Sequence, residues 1–225
     1  MTPADPALRC GGVSHSYPVN GAPVRALTGV SLTVPRGAVT VLAGPSGSGK
    51  STLLRILGCL DRPEEGSVEV EGVETTTLST RRRRALRRAR IGYVFQDPAD
   101  NLLGYLTVAE HLALGARLRG AGGDPAALLE ALGLGARAGH RPAQLSGGEQ
   151  QRVALAFAAA GDPPVLLADE PSAQLDRAAT GLVVGALREL AARGHAVLVT
   201  THDPEVLAVA DEVIELVDGV RRDAA

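Results

Sequence analysis

At 225 residues the chain is long enough to bury a full core and short enough to be one α/β unit with subdomains rather than two independent enzymes. Hydrophobic residues make up 45% of it and aromatics only 2%, so the core must be built from Leu, Val, Ala and Ile. A formal net charge of -2 excludes a globally basic surface for nucleic acid or an anionic membrane, and confines any basic site to a local patch.

Cys10 and Cys59 stand far apart with no CxxC or Cys/His cluster, a pattern that offers neither a disulfide framework nor a zinc site and suits a reducing compartment. Met1 to Pro6 lack a basic region followed by an apolar one, and no run of 18 or more apolar residues occurs. The expectation is a cytosolic chain. The 23 cationic residues are arginines with one exception, Lys50. A compact ammonium fits between phosphate oxygens where a planar guanidinium does not, so the lone lysine points to a tight anion site.

In chain order, Leu8 to Val13 and Ala26 to Val34 read as partly alternating strands separated by the turn-rich Pro18-Val19-Asn20-Gly21, and Ser67 to Val70 as a third, giving an antiparallel β region. Four short apolar runs then read as buried parallel strands: Ala38 to Ala43, Ile91 to Phe95, Val165 to Ala168 and Ala196 to Thr200. Val213 to Val217 is the last apolar strand. Helical periodicity marks Ser51 to Leu57, Val108 to Leu118, Pro125 to Leu132, Glu149 to Ala159 and Ala178 to Ala192. The block 98–161 contains no convincing strand and reads as a helical insertion into a core formed by 1–97 and 162–225, the whole being one domain. Arg81 to Arg84 with Arg87, Arg88 and Arg90 read as a solvated, Arg-rich helix, because the cations spread around all faces and no aromatic interleaves them.

Gly44-Pro45-Ser46-Gly47-Ser48-Gly49-Lys50-Ser51, followed by Thr52, fits the phosphate-loop pattern and lies between a strand and a helix, as that pattern requires. Glycines let backbone N–H groups converge on phosphate oxygens at a helix start. Lys50 is placed to neutralise the β and γ phosphates and the Ser51 hydroxyl to ligate Mg²⁺. Val165 to Ala168 then delivers Asp169 and Glu170 at a strand's C-terminal end, where ligands bind in open α/β sheets. Side chains alternate along a strand, so Asp169 is expected to hold the Mg²⁺ shell and Glu170 to act as general base toward the attacking water. Leu145-Ser146-Gly147-Gly148-Glu149-Gln150 opens another helix, with Ser146 as its cap; taken alone it is a helix cap as readily as a second anion site.

Leu145-Ser146-Gly147-Gly148-Glu149-Gln150-Gln151-Arg152, standing between the phosphate loop and Leu166-Leu167-Ala168-Asp169-Glu170-Pro171, resembles the signature motif of ABC transporter ATPases. The resemblance runs from Tyr17 to His202. It implies the phosphate-loop NTPase fold of ABC type, with an antiparallel β subdomain and a helical subdomain. It also implies ATP and Mg²⁺ as ligands, and a head-to-tail dimer in which Ser146, Gly147 and Gly148 close over ATP held by a second ATPase subunit. Tyr17 resembles the aromatic that stacks on adenine, Gln96 the glutamine that contacts Mg²⁺ or water, His202 the switch histidine at the γ-phosphate, and Asp176 the aspartate at the dimer seam. His15, His111, His140 and His195 match no motif and are expected on the surface or in the core.

Leu57 to Pro63 and Leu167 to Pro171 resemble the macrolide-export and lipoprotein-release group, whereas Gln96 to Asn101 has a longer spacing similar to some importer ATPases, and Phe157 stands where the family has Arg. The implied partner is a separate transmembrane permease, with the cassette peripheral on the inner face of the cell membrane and no nucleic acid expected. A motor that drives a mechanical or regulatory membrane complex without moving cargo stays open at this point.

Overall fold

The structure is a computed structural model that describes residues 6–19, 21–120 and 124–222. Its elements are, in order, β1 (Leu8–Val19), β2 (Ala22–Val34), β3 (Val39–Ala43), α1 (Lys50–Leu57), β4 (Glu65–Val70), β5 (Val73–Glu74), α2 (Thr80–Arg90), β6 (Ile91–Val94), α3 (Val108–Arg119), α4 (Pro125–Ala131), α5 (Gly147–Ala159), β7 (Val165–Asp169), α6 (Arg177–Ala192), β8 (Ala196–Thr200), α7 (Pro204–Leu207), β9 (Glu212–Val217) and β10 (Val220–Arg222).

The core is a six-stranded sheet in the order β10-β9-β3-β8-β7-β6, parallel except for β10, which folds back antiparallel on β9. The apolar runs at β3, β7 and β8 follow from burial on both faces. Val39, Val41, Leu166, Ala168, Val197 and Val199 point into a core shared with α5, α6 and the helical block. Their neighbours Leu42, Val165, Leu167, Ala196 and Leu198 point the other way, onto α1 and the antiparallel sheet β2-β1-β4-β5. Strand period two thus puts alternate residues of one run into two separate cores. Leucine, valine and alanine fill both, as the scarcity of aromatics requires.

Between β6 and β7 the described residues form only α3, α4, α5 and short 3-10 turns. Thr107 and Ser146 start α3 and α5 with reciprocal capping boxes to Glu110 and Glu149. Among the described residues, no helix is long and apolar enough to cross a membrane.

One expectation needs correction. β1 continues past Val13 to Val19, because register shifts between Cys10 and Val13 and between Val13 and His15 break the alternation without ending the strand. Asn20, in the expected turn, lies outside the described residues. The Arg-rich helix α2 has no buried residue, as expected of a solvated helix, and two of its arginines also hold a neighbouring turn. Arg83 donates to Asp61 O at 2.7 Å and Leu60 O at 3.3 Å, and Arg87 to Cys59 O at 3.4 Å. These arginines cap the turn that follows α1, where Cys59 has φ 56°.

Candidate functional site

Residues 44–49 connect the buried strand β3 to α1. Gly49 is the N-cap of α1, with φ 97° and no side-chain cap bond, so the first-turn N–H groups stay open toward the cleft. Two glycines are sterically fixed: a β-carbon on Gly44 would lie 2.0 Å from Leu216 O, and one on Gly49 would lie 2.5 Å from Ala26 O. Behind the loop, the β9–β10 turn acts as a brace. Gly219 N donates to Ser48 O at 3.1 Å, and Thr28 N donates to Gly219 O at 2.8 Å. Ser48 Oγ is buried without a partner.

Lys50 is 7% exposed. Its Nζ donates to Gly44 O and Pro45 O, both at 2.9 Å, and lies 3.9 Å from Glu170 Oε1. A cation in the first turn opposes the helix dipole by about 0.3–1 kcal/mol. Two carbonyls and a carboxylate offset that cost.

The carboxylates at the end of β7 diverge as strand geometry requires. Asp169 Oδ1 accepts from Thr200 Oγ1 at 2.6 Å and from Ser51 Oγ at 3.0 Å. Glu170 turns the chain at φ 44°, and its N–H donates to Thr200 O and Thr200 Oγ1, both at 3.0 Å. His202 Nδ1 lies 3.2 Å from Glu170 Oε1. The parallel pairing of β7 with β8, which sets Asp169 opposite Thr200, therefore fixes both acids.

A cleft of ≈ 440 Å³ gathers these groups: Tyr17, Ser46, Gly47, Gly49, Lys50, Ser51, Thr52, Gln96, Glu170 and His202 all line it. Tyr17 is 36% exposed, and His15 packs edge-on to its ring at 4.8 Å. Ser146, Gly148 and Asp176 are not part of this cleft. Ser146 Oγ accepts from Glu149 N at 3.3 Å, and Gly148 is buried against Ala179. Asp176 caps α6 by accepting from Ala179 N at 2.8 Å. Gly147 lines a second cavity of ≈ 500 Å³ that shares Gln96 with the first and also borders Asp169.

The family model for ABC transporters matches residues 27–173. The chain belongs to the ABC transporter family. Among curated relatives, the macrolide export ATP-binding/permease protein MacB 1/2 of Paracoccus denitrificans is 44% identical over 219 residues, covering 95% of this chain and 32% of that protein. The MacB protein of Neisseria meningitidis serogroup B is 40% identical, covering 94% and 33%. This chain thus spans about a third of the length of the MacB proteins it matches. The ATP-binding cassette MJ0796, solved as a dimer in a post-hydrolysis state bound to ADP and Pi, superposes with a TM-score of 0.85 at 36% identity, covering 96% of this chain and 97% of that one. The structure of cbiO1 from Clostridium perfringens, part of the ABC transporter complex cbiONQ, gives a TM-score of 0.84 at 26% identity, covering 98% and 88%.

Several residues that position this ABC cassette's site carry no motif. Thr200 holds both acids. Asn101 clamps the loop after β6 by accepting from Phe95 N at 2.9 Å and donating to Tyr93 O at 2.8 Å. Gly219 braces the phosphate loop. Only the Asp218-Gly219 pair had a readable signal, the hairpin turn between apolar residues.

Proposed function

We propose that this cassette binds Mg-ATP in the cleft at the start of α1, hydrolyses the terminal phosphate and thereby drives a membrane permease. The observation that carries the reading is convergence: one uncapped helix start, one lysine and the Glu170 carboxylate line one cleft, and Asp169 joins them through the hydrogen bond it accepts from Ser51, which lines the same cleft. The fit to ATP rests on the glycine cradle, in which Gly44 and Gly49 leave no room for side chains, and on the unpartnered hydroxyl of Ser48. Ser51 and Asp169, 3.0 Å apart, form an all-oxygen pair suited to Mg²⁺, with Gln96 on the same wall. Bound there, Mg²⁺ supplies charge neutralisation on the phosphate oxygens.

Each residue has a distinct task. Backbone N–H groups of 46–51 and the Lys50 ammonium hold the phosphates, and the Tyr17 ring stacks on the adenine. Glu170, held by Thr200 at its backbone, accepts a proton from the attacking water, and His202 stands beside it toward the γ-phosphate. Ser146, Gly147, Gly148 and Asp176 face a second cassette, so that two chains complete two sites. In this reading 98–161 is the helical subdomain, inserted in a core of 1–97 and 162–225, and the permease holds the cassette on the inner face of the membrane. The likeness to MacB supports a permease as partner.

The test is phosphate release from ATP and Mg²⁺, beside nucleotide affinity by calorimetry. Glu170→Gln should bind ATP like the unsubstituted protein and lose turnover by about 10²–10⁴-fold. Comparable turnover in the two proteins would overturn the assignment of the base.

A further inference from the structure

Two glutamines follow each other in the first turn and a half of α5, and they are held differently. Gln150 Nε2 donates to Pro142 O at 3.0 Å and to Leu145 O at 3.2 Å, fastening the loop that leads into the helix. Gln151 is 3% exposed, and its Nε2 is buried without an acceptor. A buried amide left unpaired costs about 1–3 kcal/mol. Nothing in α5 itself demands that cost, because Met or Leu has equal helix propensity and no polar group to satisfy.

Gln151 lines the ≈ 500 Å³ cavity whose walls also include Gln96, Asp169 and Gln174. There α5 packs on the Pro98–Asp100 turn, two residues beyond Gln96. The loop's backbone is pinned at its base by Asn101. The exposed Gln96 side chain has no hydrogen bond among the described residues, although it borders both this cavity and the cleft that holds Lys50. One wall therefore carries an amide that needs a partner, and the loop opposite carries an amide whose direction nothing sets. The space between them is polar and large enough for ordered water.

We infer that Gln151 is a positioning residue for Gln96: through water bridging this cavity its amide fixes the orientation in which Gln96 presents its oxygen to the Ser51–Asp169 metal position. The inference rests on the reading of the cleft as a site of ATP hydrolysis. It ties the helix that begins with the signature to the metal position within one chain, without either glutamine touching the other's backbone.

Gln151→Met keeps the volume and removes the amide. The variant should melt at the same temperature as the unsubstituted protein or higher, since the unpaired group is gone, and should bind ATP with unchanged affinity. Its kcat should fall about five-fold, the worth of one ordinary hydrogen bond, with KM within about two-fold and a higher Mg²⁺ concentration needed for half-maximal rate. Gln151→Leu, which also removes the amide and leaves no charge to bury, should show the same fall and guards against misfolding of the first variant. In a Gln96→Ala background Gln151→Met should have no further effect, because it acts through Gln96. An unchanged kcat, a multiplicative loss in the double variant, or a loss that merely follows a lowered melting temperature would each overturn the proposal while leaving the hydrolysis reading intact. An unsubstituted protein that does not hydrolyse ATP would overturn both.

Discussion

The chain contains two glycine-rich helix starts, and they solve the same electrostatic problem in opposite ways. At α1 the N-cap is Gly49 in a left-handed conformation with no side-chain cap, and the only charge in the first turn is the cation Lys50. At α5 Ser146 and Glu149 form a full capping box, and Glu149 is held in turn by Arg137 Nε at 2.7 Å. The first start leaves its N–H groups to an external anion. The second carries its own anion. Under the proposed function the α1 start takes phosphate within one chain and so cannot be filled by a carboxylate, whereas the α5 start meets a partner's ligand and must stay ordered before the partner arrives. The contrast teaches that glycine content alone does not tell the two apart; the residue at N3 does.

The sharpest break of this comparison asks whether the α5 start works only between chains. In a Glu170→Gln background, which binds ATP without turning it over, the cassette should accumulate as an ATP-bound dimer on size-exclusion chromatography. Adding Ser146→Arg should abolish that dimer while leaving nucleotide binding to the monomer intact, because contacts made only in the closed state affect that state alone. A double variant that still dimerises with ATP would remove the α5 start from the shared site.

Glycine substitutions come next in size. Gly44→Ala forces a β-carbon to within 2.0 Å of Leu216 O at φ 147°, so the loop must move away from its brace and ATP affinity should drop at least about 100-fold. At the other start, a β-carbon on Gly147 meets only Leu175 Cδ2, at 3.8 Å, and Gly147→Ala should leave both melting temperature and monomer nucleotide affinity unchanged. Calorimetric titration of the two variants side by side measures the asymmetry directly. Equal losses would show that the α1 cradle is not sterically fixed.

Lys50→Arg conserves charge but not shape. The ammonium now sits between two carbonyls 2.9 Å away, a space too narrow for a planar fork, and affinity for ATP should fall about 10- to 100-fold. An unchanged dissociation constant would remove the inference drawn from the single lysine.

How much of this was legible in the sequence varies with how local the cause is. The parallel strands were readable because β3, β7 and β8 are buried on both faces and therefore apolar at all but one position each, Thr40, Asp169 and Thr200. β5, β10 and α7, of 2, 3 and 4 residues, were not, since so few positions carry no periodicity. At the site, Gly44 to Ser51 and the Asp169-Glu170 pair sit in strand and loop contexts that their own neighbours define. Thr200 holds both acids across a sheet pairing and Gly219 braces a loop some 170 residues earlier in the chain, and no window of sequence contains those distances; Asn101 is near its partners Tyr93 and Phe95 in sequence, but an irregular loop carries no periodicity that would reveal the clamp. The contacts of Arg83 and Arg87 were not legible for the same reason as those of Thr200 and Gly219, because the carbonyls they cap belong to the turn after α1, although the solvated Arg-rich helix itself was.

The smallest effect concerns the anion that the α5 start supplies for itself. Arg137 first, and then the Ser146 N–H and hydroxyl, hold the Glu149 carboxyl down at about 2, well below the ordinary range near 4.3. A carboxyl more acidic in the folded chain than in the unfolded one stabilises the fold when ionised in both. That contribution is complete above about pH 5 and is lost as pH falls through about 4 toward 2. Glu149→Gln keeps a side-chain oxygen at N3 to accept from Ser146 N but removes the charge that Arg137 meets. Since Arg137 is 44% exposed, solvent screens the pair and limits its worth to about 1 kcal/mol, or about 2–4 °C in a chain of this size. Thermal melts should therefore place the variant below the unsubstituted protein at pH 6, with the gap narrowing through pH 4 and closing near pH 2. A gap that stays constant across that range would mean that the charge on Glu149 contributes nothing, and that the α5 start is held by its hydrogen bonds alone.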